Sequence, residues 1–463
     1  MGNLKLIQLI ESFDKYERKR FRKFLDSPYF NSNSKVSTLF HFIATGNSQQ
    51  PPKVYWPKLF PGEAYDDSRF RRLCADLVGL AKHFYAVRQF EKDKPLTNRL
   101  FMQTVNRKKL TAFFNSSERD TKRSIDQYPY LNANYFWYNY QFEQEKHLLA
   151  GHKLDREGWS NFEEISSSLD QFFLAEKLKL YCEILSWKKV AAVDYDLLFV
   201  EDILKHVKAH HAKLVPPVAI YYQMILTLED NQDSTAYFEL KHLLEDYAEL
   251  FPPEEARNMY ACAQNFCIRM INKGNLQFLE ETFELYKAVL DRRIIWPNGV
   301  LSPYDYKNIV VVALRLKEFE WAENFIHEFK PHLPDDFREN AFVYNLAKFH
   351  FYQKNYTEVI SLLQRVEYND VFYNLDSKSM LLKTYYETGE YNAMEALIES
   401  FRVLLRRKKV ISEHHRANYG NFIKFVQKLI RMVPGDKKAI ENLRKSIAST
   451  PAIADVEWLL EKV

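Results

Sequence analysis

Glycine is what this sequence most lacks. It holds 11 glycines in 463 residues, where average usage of about 7% would give roughly 32. Strands, tight hairpins and phosphate-cradling loops consume glycine, and helix interiors avoid it, so the deficit argues for an all-α fold. Cysteine is scarce as well: Cys74, Cys182, Cys262 and Cys267, with no C-x-x-C pair among them. Four scattered thiols suit a reducing, cytoplasmic setting, and each reads as a buried, inert side chain. No run of about 18 or more apolar residues occurs, so no membrane-spanning helix is expected. The opening MGNLKLIQLIESFDKYERKRF lacks the run of about 7–15 apolar residues that marks a signal peptide. Gly2 invites N-myristoylation, but that motif wants Ser or Thr where Leu6 stands.

Catalytic signatures are missing too. The glycines are isolated, so neither G-x-G-x-x-G nor G-x-x-x-x-G-K-[ST] nor G-x-S-x-G can form, and H-E-x-x-H is absent. The expectation is a protein that is not an enzyme and uses no cofactor or metal. One metal-like constellation needs weighing: Asp202, His206 and His210 fall on one face of a helix at ligand-competent spacing. Lys205 and Lys208 stand beside them and would repel a cation, so a solvated polar face is the expected reading.

What is present is hydrophobic substance and uneven charge. Hydrophobic residues make up 46% of the chain, enough to build cores throughout. The formal charge of +4 conceals blocks of +12 over residues 1–125, −16 over 126–399 and +8 over 400–463. Blocks of this size act on partner choice and association rate rather than on fold.

Along the chain, residues 1–125 read as a basic helical head. Leu4 to Phe13 forms one short helix. Asp14 and Glu17 have the N-cap and N3 spacing of a capping box for a second, which runs to Ser27 before Pro28. On it Lys15, Arg18, Lys19 and Arg22 share one face, and Phe21, Phe24 and Leu25 the other. Phe70, Leu73, Leu77, Leu80, Phe84 and Val87 then recur at three- and four-residue steps, giving a long helix over about 68–92 that DKPLTN breaks. Residues 126–255 read as helical hairpins. They begin with an aromatic-rich helix (Tyr135, Phe136, Trp137, Tyr138, Tyr140, Phe142), in which core packing is expected over a stacking platform. The joints VDYD, VPP, DNQD and FPPEE are short, so neighbouring helices should be antiparallel.

Toward the C-terminal side four turns look alike: KGNL (273–276), LKEF (316–319), QKNY (353–356) and TGEY (388–391), their last residues 43, 37 and 35 apart. The unit YNLAKFHFYQKNYTEVISLL (344–363) resembles the tetratricopeptide repeat. Leu346 and Ala347 match that repeat's Leu-Gly/Ala pair, and Asn355 and Tyr356 its Asp-Tyr turn. The resemblance covers 256–401. It implies an α-α superhelix of stacked antiparallel helical hairpins with a concave groove, separate from the N-terminal head. The repeat wants Gly or Ala at two close-packing positions, occupied here by Val310, Ala347 and Leu382 and by Ala322, Val359 and Met394. Only two of these six are small, so an irregular superhelix is expected. Residues 402–463 supply C-terminal capping helices, the last of them starting with Thr450 as N-cap and Pro451 as N1.

These features favour a non-enzymatic helical-repeat scaffold for a protein or peptide partner, since a stack of hairpins offers a long groove without a cofactor. The alternative is a nucleic-acid-associated regulator with a basic N-terminal helical domain ahead of a repeat domain that senses or scaffolds. Phosphate contacts would then come from Lys15, Arg18, Lys19 and Arg22, and from the run Arg406, Arg407, Lys408 and Lys409. A third reading docks the basic ends on the acidic middle. No membrane contact is expected, and the oligomeric state is left open.

Overall fold

A computed structural model describes residues 4–47, 50–152, 161–188, 195–210, 213–229, 234–364, 371–407, 410–432 and 436–463. Among the described residues there are 23 α-helices and no strand, so the fold class is all-α. None of these helices is long and apolar enough to cross a membrane. The chain divides into two compact units, Met1–Lys177 and Leu178–Val463.

The first unit opens with α1 (Leu4–Glu11), α2 (Lys15–Leu25), α3 (Ser34–Phe42), α4 (Pro52–Leu59) and α5 (Asp67–Lys92). These five share one core, in which Leu6, Ile10, Phe21, Leu25, Val36, Leu39, Leu77 and Phe84 are buried. The capping box at α2 is formed in full. The Asp14 carboxylate accepts from Tyr16 N (2.6 Å) and Glu17 N (2.7 Å), and Glu17 Oε2 accepts from Asp14 N (3.1 Å). The helix ends at Leu25, two residues short of the expected Ser27.

The expected break over DKPLTN is narrower than the sequence suggests. Asp93 alone separates α5 from α6 (Lys94–Lys108), because its side chain caps Leu96 N (2.9 Å) and Pro95 sits in the first turn, where a missing N–H costs nothing. Then follow α7 (Phe114–Asp126), α8 (Ala133–His152) and α9 (Phe162–Lys188), within which the division between the units falls. On α8 two buried glutamates are each held by an asparagine amide. Asn106 Nδ2 donates to Glu145 Oε2 (2.8 Å), and Asn161 Nδ2 to Glu143 Oε2 (2.7 Å).

The second unit continues with α10 (Val200–Ala209), α11 (Pro216–Leu228), α12 (Thr235–Tyr247), α13 (Pro253–Asn272) and α14 (Phe278–Asp291). Next come α15 (Pro303–Arg315), α16 (Phe319–Glu328), α17 (Asp335–Tyr352), α18 (Tyr356–Leu363), α19 (Val371–Thr388) and α20 (Tyr391–Arg407). The last three are α21 (Glu413–Ile430), α22 (Lys437–Ala448) and α23 (Val456–Glu461). Proline opens α11, α13 and α15, fixing where each can begin.

The four look-alike turns share one backbone geometry. Gly274 (φ +93°), Lys317 (+64°), Lys354 (+60°) and Gly389 (+74°) are all left-handed. In each turn the next N–H reaches back five residues. Asn275 donates to Met270 O (3.0 Å), Glu318 to Ala313 O (3.0 Å), Asn355 to His350 O (2.9 Å) and Glu390 to Tyr385 O (2.9 Å). This is the Schellman motif, which satisfies the last carbonyls of one helix and turns the chain into the next. The joined helices pack as pairs, α13 with α14, α15 with α16, α17 with α18 and α19 with α20; the first helices also pack on one another, α15 on α17 and α17 on α19. Val310, Ala347, Leu382, Ala322, Val359 and Met394 are all fully buried.

The last helix departs from expectation. Thr450 and Pro451 do not start it; α23 begins at Val456 with Asp455 as N-cap. Thr450 Oγ1 instead donates back to Ser446 O (2.8 Å), closing α22, and Asn421 Nδ2 holds Ala452 O (2.8 Å), so residues 451–454 follow α21 before the helix begins.

Candidate functional site

Five groups of residues carry enough chemistry to be weighed as sites. On α2 the capping box sets the helix phase, and Lys15, Lys19 and Arg22 emerge exposed on one face. Arg18 shares that face but is half-buried, its Nε donating to Phe13 O (3.1 Å) and so tying α2 to the end of α1. Arg22 Nη2 lies 3.4 Å from His41 Nδ1. None of the four is ion-paired among the described residues.

Arg406 and Arg407 are exposed in the last turn of α20, and Lys408 and Lys409 lie outside the described residues. The carbonyl of Leu405 is taken by Arg416 Nη1 (2.6 Å). Arg406 and Arg407 complement the negative end of the helix as solvated cations.

The histidine constellation is not built as a metal site. His206 and His210 stack with ring centroids 4.4 Å apart, His210 Nδ1 is engaged by His206 O (2.9 Å), and Asp202 Oδ1 lies 3.9 Å from Lys205 Nζ. No group of three His, Cys, Asp or Glu able to hold a metal occurs among the described residues.

All four cysteines are free and buried. Burial pushes the Cys74 and Cys267 thiols up to about 11 and the Cys182 thiol well above its ordinary value. Cys182 and Cys262 line a cleft of about 400 Å³ with Lys179, Tyr221 and Glu255. A thiol held protonated, as Cys182 is, serves there as packing rather than as a nucleophile. The aromatics of α8 are likewise structural: Phe136 and Phe142 are buried, Trp137 packs on Phe172 (5.0 Å), and Tyr138 Oη donates to Asp93 Oδ2 (2.8 Å).

The fifth group was not legible in the sequence. Polar side chains link the first helices of the second unit to one another, to α21 and to Asp455. Arg257 on α13 pairs with Asp305 on α15 (2.8 Å), and Lys307 on α15 with Asp376 on α19 (2.8 Å). Tyr419 on α21 donates its hydroxyl to the other Asp376 oxygen (2.5 Å). Lys383 on α19 donates to Asp455 (2.5 Å), as does Ser379 Oγ (2.5 Å). Burial alone would raise the Asp455 carboxyl, but Lys383 and Ser379 outweigh it and hold its pKa below the ordinary value.

Lys348 on α17 sits among these groups and, among the described residues, has only Tyr344 Oη, 3.4 Å away, as a hydrogen-bond partner. Burial lowers its ammonium to about 8 against the pull of Asp376 and Asp455. Apart from Lys348 and Tyr344, the partners in this network stand 43 to 76 residues apart in sequence, beyond any local pattern. The arrangement joins cations, hydroxyls and carboxylates on one layer of helices. No protein-family model, curated protein or solved structure matches the chain.

Proposed function

We propose that the chain is a non-enzymatic helical-repeat scaffold, in which residues 256–401 form a tetratricopeptide-like superhelix and the layer of first helices receives a protein or peptide partner. The observation that carries this reading is the recurrence of one Schellman turn at Gly274, Lys317, Lys354 and Gly389, each joining a packed pair. A turn repeated with the same hydrogen bonds stacks like units, and stacked units present a continuous face. Bulky Val310, Leu382, Val359 and Met394 at the buried packing positions make the superhelix irregular.

A second reading keeps the first unit as a nucleic-acid-binding head, favoured by Lys15, Lys19 and Arg22, exposed and in no ion pair among the described residues. Such contacts would go to phosphates and weaken with salt. Purification of the tagged chain from its native cell tests both. A dominant stoichiometric protein supports the scaffold, and co-purification abolished by nuclease supports the second reading. A chain that returns alone at low salt overturns both.

A further inference from the structure

We propose that the layer formed by α15, α17, α19 and α21 recognises a partner segment of acidic-x-acidic-Trp-Leu chemistry, and that residues 451–463 of this chain occupy that surface in its absence. This rests on the binding reading above and assigns the partner's chemistry.

The polar contacts of the segment go to one layer, apart from Arg444 Nη2 on α22, which donates to Val463 O (2.6 Å). Asp455 takes Lys383 Nζ and Ser379 Oγ on α19 (2.5 Å each), and Glu457 pairs with Arg315 at the end of α15 (2.9 Å). Trp458 Nε1 donates to Glu387 on α19 (2.9 Å), and Lys462 pairs with the same carboxylate (2.6 Å). On α21, Asn421 Nδ2 donates to Ala452 O (2.8 Å), and Asn418 O accepts from Ala454 N (3.2 Å). Trp458 is buried against Tyr386 (ring centroids 5.3 Å) and Phe422 (6.2 Å), and Leu459 is fully buried. Among the described residues no hydrogen bond or ion pair of the segment goes to the second helices α16, α18 or α20.

Two features separate this from an end cap. A cap laid on the last pair would cover that pair's exposed face alone. This segment reaches α15, two pairs back, across 142 residues of sequence. The second feature is local. Asp is among the best N-caps, yet Asp455 gives α23 no side-chain cap and stands in the left-handed region at φ +52°. Its carboxylate points at α19 instead, so the helix gives up local stability for contact with the surface. A helix of six residues is too short to persist unaided, so its shape depends on what it lies against. Lys348, whose nearby carboxylates are already engaged, adds positive potential at Asp455.

The test keeps the full chain. A specific protease site is inserted between Thr450 and Pro451, the purified protein is cut, and a fluorescent peptide of the sequence PAIADVEWLLEKV is added. The expected result is that the cut segment stays associated and is replaced by the peptide as its concentration rises, with the far-UV helical signal unchanged. Peptides carrying Asp455→Asn or Trp458→Ala should compete about tenfold less well, the size of one charge-assisted hydrogen bond or a lost anchor. Lys383→Met in the cut chain should weaken the unaltered peptide similarly. A segment that never exchanges, or a protein that loses helix as the segment leaves, makes 451–463 an integral part of the core and overturns the proposal. Exchange indifferent to Asp455→Asn also overturns it, as does dimer formation in place of peptide capture, which would assign the surface to a second copy. Exchange can succeed while purification from the native cell returns no partner, so the two readings fail separately.

Discussion

Lys348 is expected to destabilise the second unit at neutral pH, and removing its charge should stabilise it. Both carboxylates near it are engaged elsewhere: Asp376 by Lys307 (2.8 Å) and Tyr419 (2.5 Å), Asp455 by Lys383 and Ser379 (2.5 Å each). Burial then dominates, and the ammonium titrates at about 8 rather than 10.5. That difference corresponds to about 3 kcal/mol against the folded state while the group is charged, trimmed by partial solvent exposure to about 1–3 kcal/mol. The sign follows from proton binding. Between pH 8 and 10.5 the unfolded chain holds the proton that the folded chain has released. Stability therefore rises with pH across that window, and the penalty is complete below it.

Lys348→Met keeps the apolar stem, removes the charge and gives up the long hydrogen bond to Tyr344 Oη and the ammonium's place 5.7 Å from that ring's centroid. Urea unfolding of both proteins, compared at each pH from 7 to 10, cancels the titration of every other group. The variant should be more stable by about 1–3 kcal/mol at pH 7, with the difference shrinking above pH 8. A variant less stable at pH 7, or a difference that stays flat from pH 8 to 10, would refute the reasoning.

Lys317→Gly and Lys354→Gly should each stabilise by about 0.5–1 kcal/mol, because relief of a left-handed lysine outweighs the added freedom of the unfolded chain, while Gly274→Ala should cost about 1 kcal/mol. Equal urea midpoints for all three would remove the Schellman geometry as the cause. Arg18→Ala should lower the melting temperature through loss of its bond to Phe13 O, by about 1 kcal/mol, whereas the exposed Lys15, Lys19 and Arg22 should be replaceable by Ala without a measurable shift. A triple variant that melts earlier than Arg18→Ala reverses that assignment. Asn161→Ala withdraws the amide from Glu143 inside α8 and should cost about 1–3 kcal/mol, read by thermal melting; Asn161→Asp should be worse, since it sets two carboxylates together.

Several features of this protein follow from residues read in order. The Asp14–Glu17 box was visible because a cap is chemistry within four residues, and the structure forms both of its bonds. The turns at 273–276, 316–319, 353–356 and 388–391 were visible for the same reason. The residues that end one helix and start the next are adjacent, and a five-residue hydrogen bond needs nothing from elsewhere in the chain. The shared basic face of α2 was legible from spacing. That Arg18 spends its side chain on Phe13 O was not, because spacing gives direction and not partner.

Local sequence thus determined helix, turn and amphipathic face, since these depend on interactions within about one or two turns. Tertiary structure alone decided which cation is paired and which is stranded. Nothing around Lys348 in sequence distinguishes it from Lys307 or Lys383, yet those two reach aspartates 69 and 72 residues away and Lys348 reaches none within ion-pair distance among the described residues. It also decided where the last helix starts. The sequence offered Thr450-Pro451 as a start, and Asp455 became the N-cap because its carboxylate is held by α19. A cap is worth about 1 kcal/mol, and a charge-assisted pair in a partly dry site is worth more, so the long-range contact set the boundary.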